Sequence, residues 1–416
     1  VSGSSWPHDA LTPRDEDASV TTLFSNGRLP EAGLVDITVR DGRIEAISSA
    51  GTEPGRAGET MVDLGGRLVL PGLVEGHIHL DTSFYGGKWI SHRPCTNGFD
   101  VRERVAFQHE NMALAEPMDV RARKQLELCI VNGTTAMRSH VMVDASVGLR
   151  SLETILAVRE EYRSLIDLQL VAFPQSGILT SPGTSDLLDK AIELGADLVG
   201  GLDPGSLDRD IEGHLAVVFG VAARRGGDVD IHLHDAGMLG VFTIKQICVR
   251  TRALGLEGRV AVSHAYALGD VAADIAKRAA DELARSGVSI MTNAPGAQAF
   301  PPVALLRAAG VTVFSGSDNI RDSWWPYGDG DMLGRAMMIG YRSGFYTDEE
   351  LNAAFDVVTT AGARALRLEG YGLKIGAKAD FIVLEAEHVA EAVVSVPRSR
   401  SVYKSGRLVS QDGKLI

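Results

Sequence analysis

The chain has 416 residues, 45% hydrophobic and 23% charged, the balance of a globular protein rather than a disordered one. Its formal charge of −13 excludes a surface built to track nucleic-acid phosphates. No apolar run reaches the ~20 residues a membrane-spanning helix needs, and the three widely spaced cysteines, Cys95, Cys129 and Cys248, build neither a disulfide framework nor a CxxC metal knuckle. The length fits one large α/β barrel with a smaller module, or two to three ordinary domains. The expected setting is a reducing, cytoplasmic one, and the expected partner is a small molecule, neither nucleic acid nor membrane.

Residues 1–19, VSGSSWPHDALTPRDEDAS, read as a polar extension without the basic-then-apolar order of a secretory signal. Short strands follow at 21–24, 34–39 and 43–47, with Asn26-Gly27 and Asp41-Gly42 as turns. RLVLPG closes this region, and no helix-length periodicity appears before residue 100. The C-terminus has the same texture, with ADFIVLEA, AVVSVP and SVYKSGRLV as strands. The two ends therefore predict one small β-module, 20–70 plus 370–416, which also protects its sheet edges.

Between them, 71–369 alternates apolar strands with amphipathic runs. The strands are LVEGHIHL, TTAMRSHVMV, DLQLVAF, ADLVGGL, DVDIHLH, GRVAVSHA, GVSIMTN and VTVFSGSD. Helical runs such as SLETILAVREEYRSL and DVAADIAKRAADELARSG separate them. Eight such units predict a closed, parallel (β/α)8 barrel of the TIM type. The stretch RVAFQHENMALA reads as a packed helix.

Polar residues gather at the C-terminal ends of these strands, the face where a barrel carries its active site. His77 and His79 close the first as H-I-H, His232 and His234 the fifth as H-L-H with Asp235 after them, His264 the sixth, and Asp318 the eighth. Residues i and i+2 of a strand point the same way, so His77 and His79 can meet one ion. With His232 and Asp318 they make a His₃Asp set suited to Zn²⁺ or Fe²⁺. A metal there turns bound water into a nucleophile near neutral pH. His8, His92, His109 and His388 read as ordinary histidines. Gln175 carries a donor and an acceptor and can read an adjacent N–H/C=O pair of a lactam ring. Trp324 can cover a planar ring, ahead of Trp325 and Trp89, and Phe84 and Tyr85 are candidate lining residues. Arg138 reads as one half of an ion pair inside the barrel.

LPGLVEGHIHLDTSF, the positions of His232, His264 and Asp318, and the paired terminal strands resemble the amidohydrolase superfamily. AFPQSGIL, DVDIHLHDAG, GRVAVSHA and SGSDNIRDSWWPYGDGDM resemble its cytosine deaminase-like subgroup, above all its triazine-degrading aminohydrolases. The resemblance spans about 20–410. It implies a distorted (β/α)8 TIM-like barrel with a β-sandwich built from both termini, one divalent metal ion, and hydrolysis of an exocyclic C–N bond on a pyrimidine or triazine, with release of ammonia or an amine. Bridging two metals would need a lysine on the fourth barrel strand; the segment read there, DLQLVAFPQSG, has none and carries Gln175, which favours one metal. The subgroup also implies that Asp318 accepts the water proton and that His264 orients the nucleophile. Where cytosine deaminase has a Glu three residues after the fifth-strand ligand, this chain has Asp235, preceded by His234; one of the two is the expected proton shuttle. Asn319 stands where cytosine deaminase has a second Asp, on the substrate side. The alternatives are opening of a cyclic amide, hydrolysis of an N-acyl or urea bond, and an idle metal-binding relative. A homo-oligomer is compatible with the resemblance, though no segment marks an interface.

Overall fold

The computed structural model describes residues 21–52, 60–98, 100–296 and 298–416, so the polar extension 1–19 lies outside the described residues. The first five strands are β1 (Thr21–Leu29), β2 (Gly33–Arg40), β3 (Arg43–Ser49), β4 (Thr60–Asp63) and β5 (Leu68–Pro71). After Gly72 come the eight barrel strands: β6 (Leu73–Ile78), β7 (Thr134–Met142), β8 (Asp167–Phe173), β9 (Leu198–Leu202), β10 (Asp228–Leu233), β11 (Val260–His264), β12 (Val288–Thr292) and β13 (Val313–Ser315). The last four are β14 (Phe381–Leu384), β15 (Arg400–Lys404), β16 (Arg407–Gln411) and β17 (Lys414–Leu415).

Strands β6 to β13 pair in sequence order, all parallel. The barrel closes where Ile78 bridges Asp318 and the Asp318 amide donates to the His77 carbonyl at 2.7 Å. Closure requires a glycine at 316: a Cβ there would sit 2.4 Å from the nitrogen and the oxygen of His77. DLQLVAF is the third barrel strand, not the fourth. The fourth, β9, reads LVGGL and also lacks a lysine, so neither segment offers a bridging carbamate.

The terminal strands form one continuous nine-stranded sheet, joined where β5 pairs antiparallel with β14. Strands β1 and β15 are three steps apart, about 14 Å in a flat sheet. Yet the rings of Phe24 and Tyr403 lie 5.1 Å apart, and Phe381 packs edge-on to Phe24 at the same distance. The sheet therefore curls around a core of Phe24, Ile37, Val69, Phe381 and Val383, as the two layers of a sandwich would. Asp41-Gly42 is the tight turn of the β2–β3 hairpin, with φ of 50° and 76°. Asn26-Gly27 is not a turn; it is a bulge inside β1, where the register with β2 slips. AVVSVP is not a strand either. Its start belongs to the helix Val389–Ser395, whose Ala392 and Val393 are buried in the main core.

Buried charges lock the sheet to the barrel. Arg400 on β15 donates to both oxygens of Asp331, at 2.8 and 2.9 Å. Asp331 in turn caps the helix Met332–Ser343 by accepting from the Leu333 amide at 3.0 Å. Lys404 donates to Asp380 at 2.6 Å and to Asp167, at the start of β8, at 2.9 Å. Such pairs stabilise little over an apolar contact, but losing one member costs about 3–5 kcal/mol.

A second buried clamp supports the loop after β8. Asp208 accepts from the Ile178 amide at 3.0 Å, the Thr180 amide at 3.1 Å and His214 Nδ1 at 2.7 Å. Burial alone would raise its pKa, but His214 and these amides outweigh it and hold the carboxyl well below the usual carboxylate range. The stability this gives is present above the unfolded pKa of about 3.9 and lost as pH falls through the lower folded value. Asp208→Asn is therefore expected to lower the thermal midpoint at pH 7, with the gap to the parent closing between about pH 4 and pH 2. A gap of constant size across that range would contradict the clamp.

Candidate active site

Four donors converge at the closed end of the barrel. His77 and His79, at the end of β6, alternate correctly to face the same interior. The Nε2 of His77 lies 3.5 Å from Asp318 Oδ1, and the Nε2 of His79 lies 3.4 Å from the same oxygen. The Nε2 atoms of His79 and His232 are 3.3 Å apart. A tetrahedral ion with ligand bonds near 2.1 Å has ligand-to-ligand edges of about 3.4 Å. His264 stands further off, with Nδ1 3.9 Å from Asp318 Oδ2, although donor atoms of His77, His232, His264 and Asp318 all lie within 4.8 Å of one another.

Burial lowers the pKa of His77, whereas at His79 burial is outweighed by the Asp318 carboxylate, which raises it, so a cation binding there displaces a proton. Burial, then the neighbouring imidazoles, pushes His232 and His264 well below the usual histidine range, which favours the neutral forms that ligate a metal. Burial opposes ionisation of Asp318, but His264, His77 and His79 outweigh it and hold the carboxyl far down. Among the described residues, His77 Nε2 is buried with no hydrogen-bond partner. A lone pair left bare in the interior is costly, and a bound cation relieves it.

Behind His77 a chain of hydrogen bonds sets which nitrogen faces the site. Ser263 donates to Asp230 Oδ1 at 2.7 Å, so its oxygen accepts from His77 Nδ1 at 2.9 Å. Asp230 is held in turn by Arg138 at 2.9 Å, and Arg138 also bonds Gln169 and the Ala365 carbonyl. The ion pair expected for Arg138 is thus present, fully inside the barrel. It orients a candidate ligand in the manner usual for metal-bound histidines.

Beside this cluster lies a pocket of about 330 Å³, mouth included, lined by His79, Gln175, His234, Asp318, Asn319 and Trp324 among others. Gln175, Asn319 and Trp324 are brought together as their positions in the sequence suggested. Phe84, Tyr85, Trp89 and Trp325 lie outside this lining. Four lining residues were not foreseen: Thr82, Leu202, Phe173 and Gln108. Phe173 stacks on the His232 ring at 4.2 Å. Gln108 projects from α1 (Val101–Met112) and is fully buried, so the stretch read as a packed helix supplies part of the pocket.

The two shuttle candidates part company. His234 Nδ1 is held by the Asp203 carboxylate at 2.9 Å, and its ring stacks on His264 at 4.5 Å. Burial opposes protonation of His234, but Asp203 outweighs it and raises the pKa. Asp235 turns the other way. Its carboxylate accepts from the Gly205 and Ser206 amides at 3.0 and 3.1 Å, and it is absent from the pocket lining. That geometry corrects the expectation that Asp235 could stand at the substrate.

The sequence profile of the Amidohydrolase family matches residues 60–410. N-isopropylammelide isopropyl amidohydrolase of Pseudomonas sp. (strain ADP) is 33% identical over 361 residues, 85% of this chain and 89% of that protein. The structure of N-isopropylammelide isopropylaminohydrolase from Burkholderia multivorans superposes with a TM-score of 0.90 at 38% identity, over 95% of this chain and 100% of that one. That of 5-methylcytosine deaminase from Klebsiella pneumoniae, liganded with phosphonocytosine, gives 0.83 at 29% identity, over 94% and 98%. The chain belongs to the amidohydrolase family and is a hydrolase of that type. Among the described residues, no helix is long and apolar enough to cross a membrane.

Two substitutions separate holding a metal from orienting its ligand. His232→Ala is expected to abolish stoichiometric binding of a divalent ion, and Ser263→Ala to weaken it about 10- to 100-fold. Chelator competition measures both; parent-like affinity in either variant would contradict the corresponding role.

Proposed function

We propose that the protein is a mononuclear metal hydrolase of amino- or alkylamino-substituted, lactam-bearing N-heterocycles, releasing ammonia or an amine. The observation that carries this reading is the set of 3.3–3.5 Å contacts that Asp318 makes with His77 and His79, and His79 with His232, beside a pocket lined by Gln175 and Trp324. The named relatives act on an ammelide and on 5-methylcytosine, both nitrogen heterocycles.

His77, His79, His232 and Asp318 would hold one Zn²⁺ or Fe²⁺ ion. When bound, such an ion supplies a water that deprotonates near neutral pH. The other groups belong to the chain. Asp318 accepts the proton of the attacking water; its Oδ2, steadied by the Asn293 amide at 2.8 Å, faces His264. His264 is a neutral imidazole one step outside the ligand spacing, placed to hydrogen-bond the nucleophile. His234, oriented by Asp203, gives a proton to the ring nitrogen, which keeps it; Asp318 passes the proton it took from water to the departing amine, and His234 is reprotonated by the remaining hydroxyl proton as the C=O forms. Asp235 shapes the 203–206 loop instead, and so keeps Asp203 in place. Gln175 reads the lactam edge, Trp324 and Phe173 flank the plane of the ring, and Asn319 borders it. A pocket of this size and lining suits a small planar ring.

The direct test is product identification by mass with cytosine, isoguanine, creatinine and N-isopropylammelide offered to metal-loaded enzyme. The reading expects amine or ammonia release from an amino-substituted lactam ring, lost after chelation and restored by metal. Hydrolysis confined to ring amide bonds would contradict it. Gln175→Ala should raise KM about tenfold with metal content unchanged, as loss of one paired buried contact does; loss of metal in that variant would displace Gln175 from the role.

A further inference from the structure

Gln108 holds a position that its helix gives no reason to expect. It is fully buried, yet both ends of its amide point at pocket groups. The indole Nε1 of Trp324 donates to Gln108 Oε1 at 2.7 Å. An indole N–H can only donate, so the Gln108 atom facing it must be the oxygen. The same oxygen lies 3.1 Å from Gln175 Nε2, which must then be the donor end of Gln175. Gln108 Nε2 is taken up by Met142 Sδ at 3.0 Å and stands 3.5 Å from Gln175 Oε1, at the outer limit of a hydrogen bond. One indole N–H therefore settles the orientation of two amides in succession. Gln175 keeps one N–H and most of the accepting capacity of Oε1 for a ligand.

We propose that Gln108 is a positioning residue for substrate recognition, fixing the Gln175 amide so that the pocket reads a lactam edge in one sense only: ring C=O to the Gln175 N–H, ring N–H to its Oε1. This deepens the reading of the site as one for lactam-bearing rings and rests on it. Without Gln108, the Gln175 amide can turn over and present its donor and acceptor in either order, at little cost. The preference for the N–H of the ring then falls, while the metal donors are untouched.

The test pairs two variants with two forms of the best ring substrate, the parent lactam and its analogue methylated on the lactam nitrogen. Gln108→Leu removes both amide contacts at similar volume. Gln108→Glu keeps an acceptor oxygen of the same reach for Trp324 and Gln175. In the unaltered enzyme, N-methylation should raise KM at least about tenfold, because it leaves a buried acceptor unpaired. Gln108→Leu should raise KM for the lactam itself about tenfold, leave kcat within about threefold and shrink the N-methyl penalty; Gln108→Glu should restore both. Metal content, read independently by elemental analysis, should be the same in all three proteins. An N-methyl penalty unchanged in Gln108→Leu, or lost equally in Gln108→Glu, overturns the positioning role while the catalytic reading stands. An unaltered enzyme that turns over none of the rings overturns the reading and this proposal together.

Discussion

The constraint on which the rest depends is electrostatic. Three imidazole nitrogens and a carboxylate oxygen crowd together in the interior, with His77 and His79 each 3.4–3.5 Å from Asp318 and His79 3.3 Å from His232, and with too few protons to share among them. A proton on His79 could satisfy one such contact; a doubly charged ion satisfies all of them at once. Nothing local to any one strand produces this crowding. It arises because β6 and β13, first and last in the barrel, are pulled together by the Ile78–Asp318 bridge. Closure of the sheet and assembly of the site are the same event.

Charges buried elsewhere serve that geometry. Arg138 and Asp230 compensate one another inside the barrel, and through Ser263 they choose the His77 nitrogen that faces outwards to the cluster. Arg400, Asp331 and Lys404 bind the curled terminal sheet to the barrel wall, which keeps β6, the direct continuation of β5, in register. Asp203 and Asp235 divide a task on the far side. One orients His234 and the other holds the loop from which Asp203 projects.

Much of this was legible in the sequence because it is periodic. H-I-H and H-L-H follow the two-residue repeat of a strand, so their facing could be read directly. Asp41-Gly42 announced its hairpin. The parts that were not legible depend on contacts between distant segments. Asn26-Gly27 has the composition of a turn, and only the pairing of β1 with β2 makes it a bulge. AVVSVP has strand-like residues, but burial of Ala392 and Val393 against the core selects a helix. Asp235 sits where a deaminase carries its acid, and two loop amides draw it away. Gln108 lies in a helix of ordinary polar composition, and only the fold brings its amide against Gln175 and Trp324.

The central claim is one ion in a four-donor site, and cobalt(II) titration of the metal-free protein tests it most directly. The account expects visible absorption of the intense, low-coordinate kind, rising linearly and breaking at one equivalent. It also expects that spectrum to collapse in His79→Ala as well as in His232→Ala. A break at two equivalents, or a weak six-coordinate spectrum indifferent to His79, would contradict it.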